Sequence, residues 1–342
     1  MPTIREVAKA AGVSTATVSN VLHGRSARVS AETRDKVFSA VRTLKYRPTP
    51  FEQDQGAILT HNIGLMITDL TTDGMAGFDY QRKTLDGVLG AAALKGWSVT
   101  IFVERMWYDV GLAVRRSYDG RCDGLISVSP QPGNEVVEAL QERGTPLVLV
   151  GSTPWLPDIS SVDIDNFAVG ETAARHLFQL GHRRLAYYGD GWESVSGHER
   201  RQSFFATART LGVPESDLHW IQRVDEDGET VGRRAWADIL SEDPRPTGIF
   251  CWNDGFAREL LGAAPAAGVR IPDDASVIGV DDGAGSDTCV PPLTTFRNPV
   301  EILGKRAANM LIDRLTTGRD VAENVRYVPD FVVRASTGPA SA

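Results

Sequence analysis

The sequence predicts an α/β protein with a separate all-α head at its N-terminus, and two observations carry this prediction. Residues 1–50 hold nine Lys or Arg and three Asp or Glu, a balance of +6, although the whole chain is −8. After residue 62 the pattern changes from short amphipathic helices to apolar strands that alternate with helices. The 342 residues, 42% of them hydrophobic, leave room for about two domains with buried cores.

The head begins with three predicted helices. Thr3 stands three residues before a glutamate, the spacing of a capping box, and starts the first helix. Gly12 permits the positive φ of a sharp turn. Ser14 can cap a second helix over residues 15–22, and a third helix follows Ser30. Two short helices joined by a tight glycine turn indicate a helix-turn-helix.

The basic charge of this helix-turn-helix predicts DNA binding, with the second helix in the major groove. Thr15, Ala16 and Asn20 are outward positions near the start of that helix. Asn20 suits adenine, the Ala16 methyl suits a thymine methyl, and Thr15 suits a base edge or a phosphate. Arg34 and the other basic residues would mainly contact phosphates. A helical hairpin that binds another protein is the alternative.

The body repeats one doubly wound α/β plan twice, so that two lobes could face each other across a ligand cleft. Its predicted strands cover residues 63–67, 98–103, 124–128, 147–150, 162–165, 185–188, 218–224, 248–252 and 277–280, and its predicted helices lie near 80–95, 108–119, 134–143, 167–180, 199–211, 229–240 and 254–267.

Several sequence blocks resemble the LacI/GalR family of bacterial transcription regulators. The blocks are residues 3–22, 29–34 and 44–48 in the head, and 180–184, 249–254, 271–282 and 291–296 in the body. The resemblance covers roughly residues 3–335. It implies a periplasmic-binding-protein-like body in which the chain crosses between the lobes three times, with the last strand, near 325–333, in the second lobe.

The implied domains are a head at 1–48, a linker at 49–61, a two-lobed core at 62–334 and a tail at 335–342. Lobe one would hold about 62–161 and 293–323, and lobe two about 162–292 and 324–334. In the head, the resemblance places Thr15, Ala16 and Asn20 at base-reading positions. The full set of predicted DNA contacts is Thr3, Ser14, Thr15, Ala16, Thr17, Asn20, Arg28, Arg34 and Tyr46.

The linker departs from the family pattern. In the family it forms a short helix on the operator and inserts a leucine into the minor groove, but here Gln55 occupies the leucine position and Glu52 the position of a small apolar residue. A carboxylate repels phosphates, and an amide is a poor wedge between base pairs. Either Ile58 or Leu59 substitutes in a shifted register, or specificity rests on the head alone. The predicted linker contacts are Glu52, Gln53 and Gln55.

Arg200 stands where family members present an arginine to a small effector, and a guanidinium can hold two hydroxyls, a carboxylate or a phosphate. Asn253 and Asp281 follow apolar strands at their carboxyl ends. Trp252 could stack on a sugar face or a base. The predicted effector site comprises Asp69, Phe78, Trp192, Arg200, Asp227, Trp252, Asn253 and Asp281. A mono- or disaccharide fits this mixture, with a nucleobase or nucleoside as the alternative.

Enzyme motifs are missing from the sequence. The segment 198–202 lacks the second histidine of the H-E-x-x-H zinc motif, and no nucleophile elbow, G-x-G-x-x-G or Walker sequence occurs at a suitable position. The pairs Asp163/Asp165 and Asp281/Asp282 suggest strand ends and helix caps rather than acid and base. The three cysteines lack metal-ligand spacing. We therefore predict no catalytic residue, metal or cofactor.

These observations predict a cytoplasmic, dimeric regulator of transcription, most simply a repressor, that binds double-stranded operator DNA and an effector between its lobes. No apolar leader or membrane-length segment occurs. Residues 335–342 are too short for the tetramer-forming helix of some relatives. A solute-binding protein of a sugar transporter would share the two-lobed body, but the basic head argues against it.

Overall fold

The computed structural model describes residues 2–22, 29–44, 46, 59–68, 74–104, 111, 114, 119–156, 158–190, 194–223, 228–318 and 321–341. They belong to two compact units: residues 1–72, 81–163 and 300–325 form unit one, and residues 73–80, 164–299 and 326–342 form unit two. We call residues 2–46 the head, the rest of unit one lobe one, and unit two lobe two. The chain passes between lobes at 163–164, 299–300 and 325–326, and the start of one helix, residues 74–80, also groups with lobe two.

The secondary structure follows the predicted alternation. The helices of the described residues are α1 Ile4–Ala11, α2 Thr15–Leu22, α3 Ala31–Leu44, α4 Gly74–Leu94, α5 Glu135–Glu142, α6 Asn166–Gln179, α7 Val195–Thr210, α8 Gly228–Ser241, α9 Asp254–Ala263 and α10 Val300–Thr317. The strands are β1 Asn62–Thr68, β2 Ser98–Glu104, β3 Gly124–Val128, β4 Leu147–Val150, β5 Ser160–Ile164, β6 Leu185–Asp190, β7 Leu218–Arg223, β8 Gly248–Cys251, β9 Ser276–Ile278, β10 Thr295–Arg297, β11 Asn324–Tyr327 and β12 Asp330–Val332.

Lobe one is built on a six-stranded sheet with the strand order β11-β5-β4-β3-β1-β2. Strand β1 pairs in parallel with β2 and β3, and Leu65 lies opposite both Ile101 and Ile126. All residues of β3 and β4 are buried. Parallel strands covered on both faces require continuous apolar runs, which explains why these two strands were predicted with their observed bounds.

Lobe two is built on a four-stranded parallel sheet with the order β7-β6-β8-β9. Tyr187 of β6 lies opposite Phe250 of β8, and their rings meet edge-to-face with centroids 5.5 Å apart. Because all four strands run in the same direction, their carboxyl ends share one edge of the sheet. That edge carries the residues that follow β8 and β9, where the effector site is predicted.

Two predicted elements are wrong in extent. The last strand, predicted near 325–333, is two strands: β11 pairs with β5 in lobe one, and β12 pairs antiparallel with β10 in lobe two. Pro329 separates them, and its nitrogen has no hydrogen to donate to a sheet. The helix predicted over 254–267 ends at Ala263, because Pro265 interrupts the helical hydrogen bonds.

The C-terminal residues, predicted as a tail, pack into lobe two. Ser336 is fully buried; its hydroxyl donates to the Val277 carbonyl at 2.6 Å and accepts from the Thr294 amide at 2.8 Å. The Gly338 amide donates to the Ser276 hydroxyl at 3.0 Å. These bonds satisfy polar groups at the amino ends of the sheet strands, so residues 336–338 are part of the lobe-two core.

Candidate nucleic-acid interface and ligand site

The first helix of the head begins with the predicted capping box. The Thr3 hydroxyl accepts from the Glu6 amide at 3.4 Å, and the Glu6 carboxylate accepts from the Thr3 amide at 2.6 Å. The Thr3 hydroxyl also donates to the Glu6 carboxylate at 3.2 Å. The hydrogen bonds that this carboxylate accepts, first from the Thr3 amide and then from the hydroxyl, lower the pKa of Glu6. Gly12 ends α1 in the left-handed conformation with φ 67°, which turns the chain into the second helix.

The second helix presents the predicted base-reading residues to solvent. The Ser14 hydroxyl accepts from the Thr17 amide at 3.0 Å and so caps α2. Thr15, Ala16 and Asn20 are exposed, while Val18, Val21 and Leu22 on the opposite face are buried in the head core. A small helix with a buried apolar face and a polar outer face is suited to lie in a major groove.

The third helix supports the second and carries basic charge. The Ser30 hydroxyl accepts from the Thr33 amide at 3.2 Å at its start, and Arg34 is exposed on its first turn. Tyr46, predicted to contact DNA, is only 7% exposed and packs in the head core. Its amide donates to the Val41 carbonyl at 3.0 Å. Tyr46 therefore belongs to the core at the end of the head and exposes little surface.

Arg200 in lobe two is held in a fixed orientation. It lies on α7 and is 5% exposed. Its Nε donates to the Asn166 Oδ1 at 2.9 Å, and its Nη1 donates to the Trp252 carbonyl at 2.6 Å. Its Nη2 makes no hydrogen bond within the described part of the chain. A buried, pre-oriented guanidinium of this kind keeps donors ready for an acceptor ligand.

The helices that hold Arg200 cross very closely. At Gly170 of α6, a Cβ would lie 2.4 Å from the Arg200 carbonyl oxygen and 2.8 Å from the Phe204 nitrogen. No side chain fits there, so glycine allows α7 to sit directly on α6. Asn166, fully buried at the start of α6, also donates from Nδ2 to the Glu199 carboxylate at 3.4 Å. Glu199 in turn accepts from Arg326 at 3.4 Å.

Trp252 follows strand β8 and lies beside Arg200. Its ring meets Phe256 edge-to-face, with centroids 5.1 Å apart. Its Nε1 is buried and has no hydrogen-bond partner among the described residues. A Cβ at Gly197 would lie 3.2 Å from that nitrogen, so the start of α7 closes in on the indole. An indole N–H usually finds an acceptor, which marks Trp252 as a second donor at this edge.

Asn253 and Asp281 lie at the predicted strand ends but already have structural roles. The Asn253 Oδ1 accepts from the Phe256 amide at 3.0 Å and caps α9. The Asp281 Oδ1 accepts from the Asn298 Nδ2 at 3.2 Å. Asp281 has φ 121°, a conformation that costs a non-glycine residue free energy and is common at functional sites. Its neighbour Asp282 forms ion pairs with two arginines.

A buried carboxylate supports the loop after β9. Asp254 is 2% exposed and accepts from the Gly283 amide at 2.9 Å, the Ser286 hydroxyl at 2.5 Å and the Thr295 hydroxyl at 2.6 Å. Burial raises the pKa of Asp254, although these hydrogen bonds act in the opposite direction. The Asp254 carboxylate thereby links the start of α9 to the loop after β9 and to β10.

Arg223, Glu259 and Tyr188 form a further polar group in lobe two that the sequence analysis did not predict. Arg223 ends β7 and pairs with Glu259 at 3.2 Å, and Glu259 also accepts from the Tyr188 hydroxyl at 3.2 Å. The Arg223 guanidinium carbon lies 5.3 Å from the Phe256 ring centre. Burial, and then the Glu259 charge, raises the pKa of Tyr188. The strand-end rule that singled out Asn253 applies equally to Arg223 and to Asn166, which follows β5.

Some predictions concern residues outside the described part of the chain. These are Arg28 in the head, Glu52, Gln53 and Gln55 in the linker, and Asp69, Trp192 and Asp227 of the effector site, together with the side chain of Phe78. Asp165 caps α6 by accepting from the Ala168 amide at 2.9 Å, as expected for a strand-end carboxylate.

Within the described ranges, no group of three His, Cys, Asp or Glu could hold a metal ion. No helix there is long and apolar enough to span a membrane.

Two family models match the chain. Residues 3–49 match the model described as bacterial regulatory proteins, lacI family, and residues 174–337 match a periplasmic binding protein-like domain. The first match covers the described head, and the second covers most of lobe two.

Curated relatives match over nearly the full length. The HTH-type transcriptional repressor PurR of Klebsiella pneumoniae is 32% identical over 345 residues, which is 98% of this chain and 97% of the relative. The PurR repressor of Erwinia tasmaniensis is 30% identical over 343 residues, with the same coverage.

Solved structures share the fold. A complex of the transcriptional regulator CelR with cellobiose has a TM-score of 0.71 and 27% identity, and covers 98% of this chain and 100% of that one. A LacI family regulator from Enterococcus faecium with bound ribose has a TM-score of 0.69 and 25% identity, with coverages of 82% and 100%. The chain therefore belongs to the LacI family of bacterial regulatory proteins, and its relatives at 30–32% identity are helix-turn-helix transcriptional repressors.

Proposed function

We propose that this repressor binds a pseudo-palindromic operator as a homodimer in the cytoplasm, and that a sugar bound beside Arg200 changes its operator affinity. The observation that carries the effector part is the pair of oriented donors, Arg200 and Trp252, at one edge of the lobe-two sheet. A ligand shifts operator affinity only through different affinities for the two states of the repressor.

The DNA part rests on the head. Thr15, Ala16 and Asn20 are exposed on a capped helix, and residues 1–50 carry a balance of +6. Asn20 can donate to and accept from one adenine, and the other two residues can contact neighbouring base edges. Arg34 on α3 would bind phosphate and add to affinity without adding specificity.

The sugar assignment rests on donor chemistry and on relatives. Sugar hydroxyl and ring oxygens accept hydrogen bonds, and Arg200 and Trp252, which are joined by the bond from Arg200 Nη1 to the Trp252 carbonyl, each carry a donor. The indole and the Phe256 ring add apolar surface for the C–H face of a sugar. Two relatives at 25–27% identity are described with cellobiose and with ribose.

The experiment is a calorimetric screen of the full chain against mono- and disaccharides, with nucleosides as the competing class. Arg200→Ala should weaken the binding of a hit at least about tenfold, because a charged hydrogen bond contributes roughly that factor. Operator affinity without effector should stay unchanged.

The matched control is Arg201→Ala, which removes the same charge one residue further along α7, where the guanidinium stacks on Trp220 at 3.7 Å. Equal losses in both variants, or hits confined to nucleosides, would contradict the sugar site at Arg200. Loss of operator binding in Arg200→Ala would assign this residue to structure instead.

The dimer assignment rests on symmetry and on exposed apolar residues. Two heads reading two half-sites require a two-fold dimer. Leu89 and Leu94 on α4, and Ile101 and Val103 on the edge strand β2, are exposed at 42%, 84%, 43% and 50%. Such a group on one lobe is typical of a protein interface.

Sedimentation of the Ile101→Lys variant should show monomers. Val290→Lys is the control, because Val290 is an apolar residue of lobe two that is 86% exposed, and this variant should remain a dimer.

A further inference from the structure

Arg143 is a buried arginine of lobe one that contacts the head. It follows the last residue of α5 and is 9% exposed. Its Nη1 donates to the Ala139 carbonyl of its own helix at 2.6 Å. Its Nε donates to the carbonyl of Leu22, the last residue of α2, at 3.4 Å. Its guanidinium carbon lies 5.0 Å from the centre of the Phe38 ring on α3. One side chain therefore reaches two helices of the head.

Both head contacts suit a cation. Leu22 contributes one of the last carbonyls of a helix, which have no partner inside that helix and carry its negative dipole end. The face of the Phe38 ring is also electron-rich and attracts a guanidinium. A planar guanidinium can donate along its edge while a ring covers its face, which an ammonium group cannot do.

Apolar packing surrounds these contacts. The buried apolar residues of the head and those of α5 belong to one continuous cluster, to which α5 contributes Val136, Val137 and Leu140. Excluding water from a hydrogen bond between a cation and a carbonyl strengthens their attraction. The head and lobe one thus share a partly apolar interface with Arg143 in it.

The interface leaves the DNA-facing surface clear. Thr15, Ala16 and Asn20 are all exposed while Leu22, at the other end of the same helix, is held by Arg143. We propose that Arg143 is a positioning residue that fastens the head to lobe one, so that lobe one sets the orientation of the recognition helix through a direct contact. Transmission of an effector signal by this contact rests on the proposed function, but the contact itself does not.

The test uses the full chain without DNA or effector and measures ¹⁵N relaxation of the head amides. In the unsubstituted protein they should report the slow tumbling of the whole molecule. In Arg143→Ala they should report a correlation time at least about threefold shorter, because the released head moves on its own timescale. Tryptic release of the head should accelerate by about tenfold, the factor expected for a charged hydrogen bond.

Arg175→Ala is the control, since it removes an equal charge from an exposed ion pair on α6 of lobe two and should change neither readout. Head relaxation that is equally slow in Arg143→Ala, or already fast in the unsubstituted protein, overturns the proposal. If Arg143→Ala does not fold, Arg143→Lys decides by the same criterion, because lysine keeps the charge but cannot donate and stack together. The two proposals can fail separately. If the effector screen finds no ligand but the Arg143→Ala variant still frees the head, only the proposed effector site is refuted.

Discussion

The head and the carboxyl edge of the lobe-two sheet orient their polar side chains in opposite ways. In the head, Thr15, Ala16 and Asn20 are exposed on a helix whose cap lies one residue before it, at Ser14. In lobe two, Arg200 is buried, and its partners lie 34 and 52 residues away along the chain. Local bonds organise the first surface, and contacts distant in sequence organise the second.

This difference predicts how far the effect of a substitution spreads through the protein. A local cap affects one helix, so its loss should weaken the head and leave lobe two unchanged. A close crossing of two helices in lobe two affects every residue that either helix positions. Substitutions at a helix cap and at a helix crossing therefore test this division.

The largest effect should come from Gly170→Ala. Its Cβ would lie 2.4 Å from the Arg200 carbonyl oxygen, so α7 must move and the free energy of unfolding of lobe two should fall by about 2–3 kcal/mol. Gly262→Ala is the matched control, because Gly262 is an exposed position of α9 where a Cβ meets nothing within 4 Å. That substitution should stabilise the helix by about 0.5–1 kcal/mol. Equal thermal unfolding of both variants would contradict the tight α6–α7 crossing.

The next effect concerns base recognition. Asn20→Ala should cost about 1–3 kcal/mol at one base-pair position and relax the preference there. Arg34→Ala should weaken binding to all sequences alike and reduce the dependence of affinity on salt concentration. Binding to a library of operator variants at two salt concentrations measures both quantities. A uniform loss from Asn20→Ala would count against base reading.

A smaller effect should follow from removing a head cap. Ser14→Ala leaves the Thr17 amide without its acceptor and should lower the free energy of unfolding of the head by about 1 kcal/mol. Ser39→Ala, on an exposed position of α3, should leave it unchanged or slightly raised. Hydrogen exchange of the amides in α1–α3 measures the free energy of unfolding of the head separately from that of the body. A matching loss of stability in lobe two would break the proposed separation.

The smallest effect is a pH dependence of lobe two near neutral pH. Burial lowers the pKa of both His176 and His182 below their usual 6.5, so the folded lobe binds fewer protons than the unfolded chain. Stability is therefore full above about pH 6.5 and declines as the pH falls through the folded-state values. Glu6, whose pKa is lowered, should affect the head only below its usual 4.5.

His182 bonds to Thr247 at 3.0 Å and to Ser276 at 2.9 Å, so His182→Gln should flatten the decline of lobe two between pH 7 and 5. Denaturant unfolding at each pH provides the measurement. An unchanged slope in this variant would assign the pH dependence to other groups.

Sequence patterns predicted the elements whose causes are local. The capping box at Thr3, the turn at Gly12 and the apolar runs of β3 and β4 each depend on a few neighbouring residues, and the structure confirms them. The limits of elements were less predictable where a proline intervenes. Pro329 divides the last strand and Pro265 shortens α9, although both residues are visible in the sequence.

The ligand site at the carboxyl edge of the lobe-two sheet stays a prediction, and the hydrogen bonds among its residues could not be predicted from the sequence. The strand-end rule led to Asn253 and Asp281, yet both already bond within the protein, to Phe256 and Asn298. No sequence spacing indicates that Asn166 and the Trp252 carbonyl hold Arg200, because the three residues meet only when α6, α7 and the end of β8 pack together. Which atoms stay available to a ligand is decided by that packing.

Residues 324–332 supply one strand to each lobe within nine positions, β11 to the six-stranded sheet of lobe one and β12 to the two-stranded sheet that it forms with β10 in lobe two. Neither lobe can therefore be excised as a single uninterrupted stretch of the gene. A fragment ending before residue 324 lacks a strand of each lobe, so recombination that exchanges one lobe for a homologue's must keep residues 324–332 matched to both lobes.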